Sequence, residues 1–339
     1  MIYSIIANNC GPISQLQWKE LKNINLIIGK NGCGKTFLLK MIYATVKTAE
    51  LYGRGNDKRS RAEVLFDKLY WTFQVDKIGD MVSKGSSTPL FFEIKNGDHA
   101  LSFSFGKDTE KKINEVEGNL RRKSNSIFFP AKEVLSLFQV ILKSREEDQI
   151  FGFDDTYYDL VKALRVVPKQ GRNYEAFAQS REKLEHIFSG KVFFDEKENQ
   201  WYFKKGNRKF AISLTAEGIK KIAMLDTLLG NRYLDPHSIV FIDEPESALH
   251  PSAISDFMEI THLLSNAGIQ FFIATHSYFV VKKLYLIAQA HKLSIPILSL
   301  GESSEENFQS DLLQGMPNNP IVNESIALYK EEIEIGMGG

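Results

Sequence analysis

Apolar positions along the chain recur with two periods, spacing of two for strands and spacing of three to four for helices. Ile2 to Ala7 and Ile24 to Ile28 read as short strands, the second feeding a glycine-rich turn and then a helix over Thr36 to Val46. Glu50 to Glu63 is polar and basic and reads as an exposed loop before helical spacing over Val64 to Val82. Leu90 to Phe105 alternates on both sides of Asn96-Gly97, the dipeptide that most strongly signals a tight hairpin. Glu110 to Ser124 is charged and is expected to be helical or exposed, and Ile127 to Phe129 is a short buried strand closed by Pro130. Helical spacing dominates Lys132 to His186, broken at Pro168 and Gly171. A second hairpin follows, Val192 to Phe194 with Gln200 to Phe203, and then a strand over Lys209 to Leu214. The last third alternates: helix Ala216 to Leu229, strand Ser238 to Ile242, helix Pro251 to Ser265, strand Gln270 to Ala274, helix Tyr278 to His291 and strand Ile295 to Leu298. Such alternation predicts an α/β fold around a parallel sheet. No internal repeat is visible.

Three strand ends carry chemistry. The turn after Ile28 is Gly29-Lys30-Asn31-Gly32-Cys33-Gly34-Lys35-Thr36, a match to GxxxxGK[ST]. A phosphate-binding turn needs backbone N–H groups pointing inward where side chains cannot crowd them, which explains the glycines. Lys35 supplies a mobile positive charge to the outer phosphates, and the Thr36 hydroxyl is a ligand for Mg2+. A chance glycine-rich turn would not usually follow an apolar strand and open a helix. The second end is Ser238-Ile239-Val240-Phe241-Ile242-Asp243-Glu244-Pro245-Glu246, where four apolar residues deliver Asp243 to the carboxyl edge of a buried strand. Asp243 is expected to hold the metal, and Glu244 to polarise the water that attacks the γ-phosphate. The third is Ile273-Ala274-Thr275-His276-Ser277. A lone histidine is more often structural, but one at a strand end beside Asp243 can reach the γ-phosphate as a donor.

In this order the three motifs resemble the ATPase heads of the ABC class, with a Walker A loop, a Walker B strand running into Asp-Glu, and a His after the next strand. Glu244-Pro245-Glu246-Ser247-Ala248-Leu249-His250-Pro251 is similar to the EPExxLHP stretch of the AAA-type, overcoming-lysogenization-defect (OLD)-like branch, which is related to SMC and RecF heads. Leu214 to Lys221 resembles that branch's degenerate signature motif, with Thr215 where serine is usual and Gly218 one residue further on than the usual spacing. His250 stands where transporters carry the D-loop aspartate, and Gln139 is the nearest glutamine to a Q-loop position. The resemblance covers roughly residues 1–48, 125–140 and 205–300, and it implies one ABC-type P-loop domain over 1–339, with an N-terminal antiparallel β subdomain and a helical insertion. Residues 50–205 are then largely family-specific insertions. It further implies ATP and Mg2+ as cofactors, catalytic Glu244 and His276, and a homodimer closed around ATP, each site capped by the partner's Thr215 to Gly218 segment.

Among ABC-like ATPases, a transporter subunit would carry LSGGQ and an aromatic residue before Walker A. An SMC or RecF-like DNA-repair ATPase would need a long heptad arm, and the insertion over Lys132 to His186 is too short for one. An OLD nuclease would add a metal domain, but the 63 residues after His276 contain no apolar strand ending in paired carboxylates. The remaining expectation is an ATPase whose effector, a nuclease or toxin, is another chain. It resembles the ATPase components of two-gene bacterial anti-phage systems such as the Septu ATPase with its HNH nuclease. The alternatives are a DNA-repair ATPase and a non-hydrolysing ATP-binding scaffold.

Charge refines the partner question. The chain balances 42 Lys+Arg against 42 Asp+Glu, which speaks against a whole-surface polyanion binder. That zero is uneven, because residues 301–339 hold eight acidic residues, Glu302 among them, and one basic residue. Basic clusters lie at Arg54, Lys58, Arg59 and Arg61, at Arg121 to Lys123, and at Lys204, Lys205, Arg208 and Lys209. They read as solvated loops or as a groove for nucleic acid or an acidic protein, with Trp201 and Tyr202 as stacking or cross-strand residues. The two cysteines make no disulfide framework or Cys-based zinc site. No long apolar run or signal-peptide pattern is present, so a cytoplasmic location away from membranes is expected.

Overall fold

The computed structural model describes residues 1–168, 173–301 and 303–337, so Gly171 and Glu302 lie outside the described residues. Strands β1 (Ser4–Cys10), β2 (Ile13–Trp18) and β3 (Ile24–Gly29) precede helices α1 (Lys35–Leu51) and α2 (Arg61–Phe73). Next come β4 (Leu90–Asn96), β5 (His99–Phe105), β6 (Glu115–Gly118) and β7 (Ser126–Phe129), then α3 (Phe138–Glu146), α4 (Asp155–Leu164) and α5 (Glu175–Phe188). Strands β8 (Lys191–Asp195), β9 (Gln200–Lys205) and β10 (Arg208–Ala211) lead into α6 (Glu217–Gly230), β11 (Ile239–Asp243), α7 (Pro251–Asn266), β12 (Gln270–Thr275), α8 (Tyr278–His291) and β13 (Pro296–Leu300). The chain continues through β14 (Phe308–Asp311) and α9 (Pro320–Met337).

The central sheet runs β14-β13-β3-β12-β11-β7 and is parallel except for β14. An antiparallel sheet, β2-β1-β4-β5-β6, forms the N-terminal β layer, and β10-β9-β8 is a small third sheet. The period of two in the central strands divides their side chains between two cores. Leu26, Val240, Ile242, Phe271 and Ile273 join helices α3 to α8, whereas Ile27, Phe241 and Phe272 join α1, α2 and the N-terminal sheet.

Several segments differ from their sequence reading. Strand β2 was not anticipated because Ser14, Gln15 and Gln17 dilute its apolar signal; Ile13, Leu16 and Trp18 are nevertheless buried, and the strand pairs with β1. Val64 to Val82 is not one helix. Helix α2 stops at Phe73, Gln74 turns left-handed (φ 52°), and a 3-10 turn follows at Ile78–Met81. Glu110 to Ser124 contains strand β6 rather than a helix, and Lys209 to Leu214 ends as a strand at Ala211. The acidic C-terminal stretch contains β14 and α9, whose alternation is too short or too polar to stand out.

The basic clusters are largely engaged within the chain. Arg59 pairs with Asp57 and Asp67, Arg122 is buried 3.9 Å from Glu50, and Lys209 pairs with Asp195 and Glu198. Arg61 and Arg121 both lie over the Tyr52 ring. Trp201 is buried opposite Phe194 and against Phe138, so it packs across strands and cannot stack a base, while Tyr202 stacks on Phe193.

Helix α1 is wrapped by neighbours on most sides, and its polar positions find buried partners. Lys40 reaches Asp154, the cap of α4, at 2.6 Å, and the Tyr43 hydroxyl donates to Asp159 in the middle of that helix at 2.7 Å. Lys68 of α2 closes the cluster on Asp155 (2.7 Å) and Asp159 (2.9 Å). Burial disfavours the Lys68 charge, but the two carboxylates outweigh it and raise its pKa. Removing one partner of such a cluster strands the others. Lys68→Met is therefore expected to lower the unfolding free energy by about 3 kcal/mol. Urea denaturation measures it, and a loss under about 1 kcal/mol would place the cluster with exposed ion pairs instead.

Candidate functional site

The turn from β3 into α1 is shaped so that only glycine fits. Gly29, Gly32 and Gly34 all have positive φ, at 150°, 83° and 98°. A Cβ at Gly29 would lie 2.5 Å from the Leu300 carbonyl oxygen and 2.7 Å from Cys33 Sγ, and one at Gly34 would lie 2.7 Å from Pro12 Cγ. Lys30, Asn31 and Gly32 form the exposed crest of the loop, whereas Lys35 is buried and donates from Nζ to the Gly29 and Lys30 carbonyls, each at 2.8 Å. Helix α1 begins without a side-chain cap and without an acidic residue in its first turn. Its leading amides are left to an anion, which is the donor set a phosphate chain requires.

Across the sheet, the Thr36 hydroxyl lies 3.1 and 2.9 Å from the two carboxylate oxygens of Asp243. Burial raises the Asp243 pKa above its ordinary value, a shift opposed by the Thr36 hydrogen bond. A hydroxyl and a carboxylate converging beside the loop are hard oxygen donors that suit Mg2+ bound together with a phosphate. Glu244 continues beyond the strand with its N–H on the Ala274 carbonyl at 2.9 Å and φ of 48°, a left-handed conformation that is costly for this residue type. Its Oε1 lies 3.3 Å from His276 Nδ1, and Glu246 Oε1 lies 3.5 Å from the same nitrogen. Loop, Asp243, Glu244 and His276 are thus brought to one edge.

Thr215 and Gly218 of the signature-like segment are not among the residues brought together there. Thr215 closes a 3-10 turn, and Gly218 opens α6 so close to the following turn that a Cβ there would meet the Ala248 carbonyl oxygen at 2.7 Å. Gln139 is exposed on α3 and donates to Asn199 O, so it is a surface helix residue rather than a Q-loop residue. His250 caps α7 by accepting from the Ser252 N–H, ahead of Pro251.

One residue beside the site entered the sequence reading only as the end of the signature-like segment, with no role of its own. Lys221 lies on α6, buried, and donates to the Glu244 carbonyl and to Ala131 O. In sequence it looks like one of two adjacent helix lysines. Lys220 beside it is equally buried but pairs with Glu133 and Glu217, so Lys221 is set apart by its partners, which come from distant segments.

Interposing a strand between the loop strand and the acidic strand, with an antiparallel sheet folded over α1, is the architecture of P-loop ATPase heads of the ABC and SMC type. Residues 24–282 match the family described as "AAA domain, putative AbiEii toxin, Type IV TA system", and the chain belongs to that family. Such ATPase domains generally use ATP and Mg2+. A segment of 102 residues is 31% identical to the Old nuclease of Escherichia phage P2, covering 29% of this chain and 17% of that protein. The chain thus spans less than a fifth of that relative's length. Two solved structures share the fold. One is an SMC head bound to the C-winged helix domain of ScpA (TM-score 0.56, 12% identity, 91% of this chain and 97% of that one). The other is an Smc head with an extended coiled coil bound to the C-terminal domain of ScpA, derived from Pyrococcus furiosus (TM-score 0.51, 11% identity, 97% and 98%). Among the described residues no helix is long and apolar enough to cross a membrane.

Lys221 gives the site a pH signature. Burial pushes its pKa down from 10.5 to about 8, against the pull of the Glu246, Asp243 and Glu244 carboxylates. Below about pH 8 the folded protein bears the full cost of the buried charge. Between the folded and unfolded values the unfolded chain binds more protons, so this site's contribution to stability rises with pH. The wild-type unfolding free energy minus that of Lys221→Met should increase by about 2 kcal/mol from about pH 7.5 to about pH 10. Urea denaturation across that range tests it, and a flat or falling difference contradicts it.

Proposed function

We propose that the chain binds and hydrolyses ATP with Mg2+, closes head to tail with a second copy around two nucleotides, and thereby governs a separate effector protein in anti-phage defence. The observation that carries this reading is the Thr36 to Asp243 contact, with the Glu244 carboxylate directly beyond it. In this reading the backbone of residues 29–36 and the uncapped start of α1 cradle the phosphates, Lys35 carries positive charge to the outer ones, and Thr36 and Asp243 hold the metal. Bound Mg2+ supplies charge that neutralises the phosphate oxygens during transfer. Glu244 orients the attacking water and takes its proton, and His276, beside Glu244, is a further donor to the γ-phosphate.

The Thr215 to Gly218 segment is read as the part given to the partner's site. Helix α6 starts there with no side-chain cap, which favours an anion at its amides, although Glu217 in its first turn opposes a negative charge. The effector reading draws on a family described by a toxin and on a relative named as a nuclease. It makes the ATPase a switch, since a γ-phosphate shared by two subunits makes dimer closure depend on nucleotide state.

Two variants test this. Lys35→Ala should abolish ATP binding in a fluorescent-nucleotide titration. Glu244→Gln should keep binding, lose at least about 100-fold in phosphate release, and accumulate as an ATP-dependent dimer in sizing with light scattering. Unchanged turnover in Glu244→Gln defeats the catalytic assignment, and a protein that stays monomeric with ATP defeats the closure.

A further inference from the structure

The turn that follows Glu244 carries a second carboxylate that no step above uses. Glu246 has only 12% of its side chain exposed, and its two oxygens are treated very differently. Oε1 accepts from the Thr275 hydroxyl at 2.8 Å and from the His276 backbone N–H at 3.2 Å, and it lies 3.5 Å from His276 Nδ1. Oε2 is buried with no hydrogen-bond partner. A buried carboxylate oxygen without a donor carries a desolvation cost of the kind that calls for a compensating role.

Simple tethering of the turn to β12 would need only the Thr275 contact. The carboxylate instead gathers both the backbone and the ring of His276. With Glu244 Oε1 at 3.3 Å on the same ring nitrogen, His276 Nδ1 faces two carboxylates. Two carboxylate oxygens at 3.3 and 3.5 Å from one ring nitrogen favour a proton on Nδ1 and leave Nε2 as the nitrogen that can face a ligand. Ser277 N donates to the Thr275 hydroxyl, so the whole start of α8 is keyed to this one carboxylate.

The geometry points to Glu246 as the positioning residue of this site, one that orients His276 against Glu244 and acts on ATP hydrolysis only through that histidine. This inference rests on the hydrolytic reading above. Glu246 itself is not placed in contact with substrate.

The test is a double-mutant cycle in the full chain, with phosphate release and ATP affinity measured for wild type, Glu246→Ala, His276→Ala and the double variant. Glu246→Ala is expected to lower kcat by about 30-fold or more with KM within about 3-fold, and the double variant to match His276→Ala within about 3-fold. Hydrogen exchange supplies a readout without nucleotide: the His276 amide should lose protection in Glu246→Ala. Where the alanine variant does not fold, Glu246→Gln keeps the shape and removes the charge, and its smaller loss should be equally non-additive with His276→Ala. Multiplicative losses in the cycle overturn the inference, as does unchanged kcat in Glu246→Ala. So does a Glu246→Ala variant as inactive as Glu244→Gln while His276→Ala still turns over, since Glu246 would then act directly. Wild-type protein that releases no phosphate overturns the hydrolytic reading and this inference together, whereas an active wild type with an additive cycle overturns only the latter.

Discussion

The register of three parallel strands holds the rest in place. Ile28 of β3 lies opposite Thr275 of β12, and Ala274 lies opposite Asp243 of β11. The phosphate-type loop, the Asp243-Glu244 pair and the Thr275-His276 pair therefore leave the sheet at one level. A slip of one residue would send Asp243 to the opposite face, and a slip of two would move Glu244 by about 6.6 Å at ~3.3 Å per residue, far outside contact with His276. The division of the central strands between two cores opposes either slip. Phe241 and Phe272 stack on one face at 5.3 Å between ring centroids while Val240, Ile242 and Ile273 pack on the other.

The same register is pinned at the far end by buried amides. Gln270 Oε1 accepts from the Ile2 N–H at 2.7 Å, and its Nε2 donates to Ile2 O and Lys22 O. Asn25 Nδ2 donates to Phe271 O and Lys22 O, and its Oδ1 accepts from Lys22 N. Polar side chains inside an apolar sheet are tolerated when all their groups are used, and they then permit one arrangement rather than several. Strand β3 is thus fixed to β12 by amide clamps at its start and to β13 at its end, where Gly29 lies opposite Leu300. Helix α1 inherits that rigidity and passes it to α4 through Lys40 and Tyr43.

Much of this was legible in the sequence because the informative segments are locally self-consistent. Buried runs such as Ile239 to Ile242 have no alternative to a central parallel strand, and Gly29, Gly32 and Gly34 each answer a backbone demand at their own position. The hairpin expected at Asn96-Gly97 formed with its turn one residue later: Asn96 pairs with His99, and in the Gly97-Asp98 turn Gly97 takes the positive φ (58°). What could not be read depends on distant partners. Strand β2 shows only three apolar residues of its own and buries them against a core contributed by later segments. Lys221 and Glu246 gain their surroundings only when α6, β11 and β12 converge, and Gln139 has the right residue type on the wrong face.

The turn between β11 and α7 is where those convergences are concentrated. Glu244 is held by backbone on Ala274, its own carbonyl receives Lys221 of α6, and Ala248 presses against Gly218 in the first turn of that helix. Withdrawing Lys221 would leave the Glu244 and Ala131 carbonyls without the donor they share, which ties α6 to the Glu244 turn. In the head-to-tail dimer proposed above, the start of α6 would face the other subunit's nucleotide. The shortest physical connection from that nucleotide to Glu244 then runs along about one turn of helix, from Gly218 to Lys221, and ends on the carbonyl of the residue expected to activate water. That separates the machinery that holds phosphate, built rigid on β3, from the contact that would tell one subunit about its partner, built on α6.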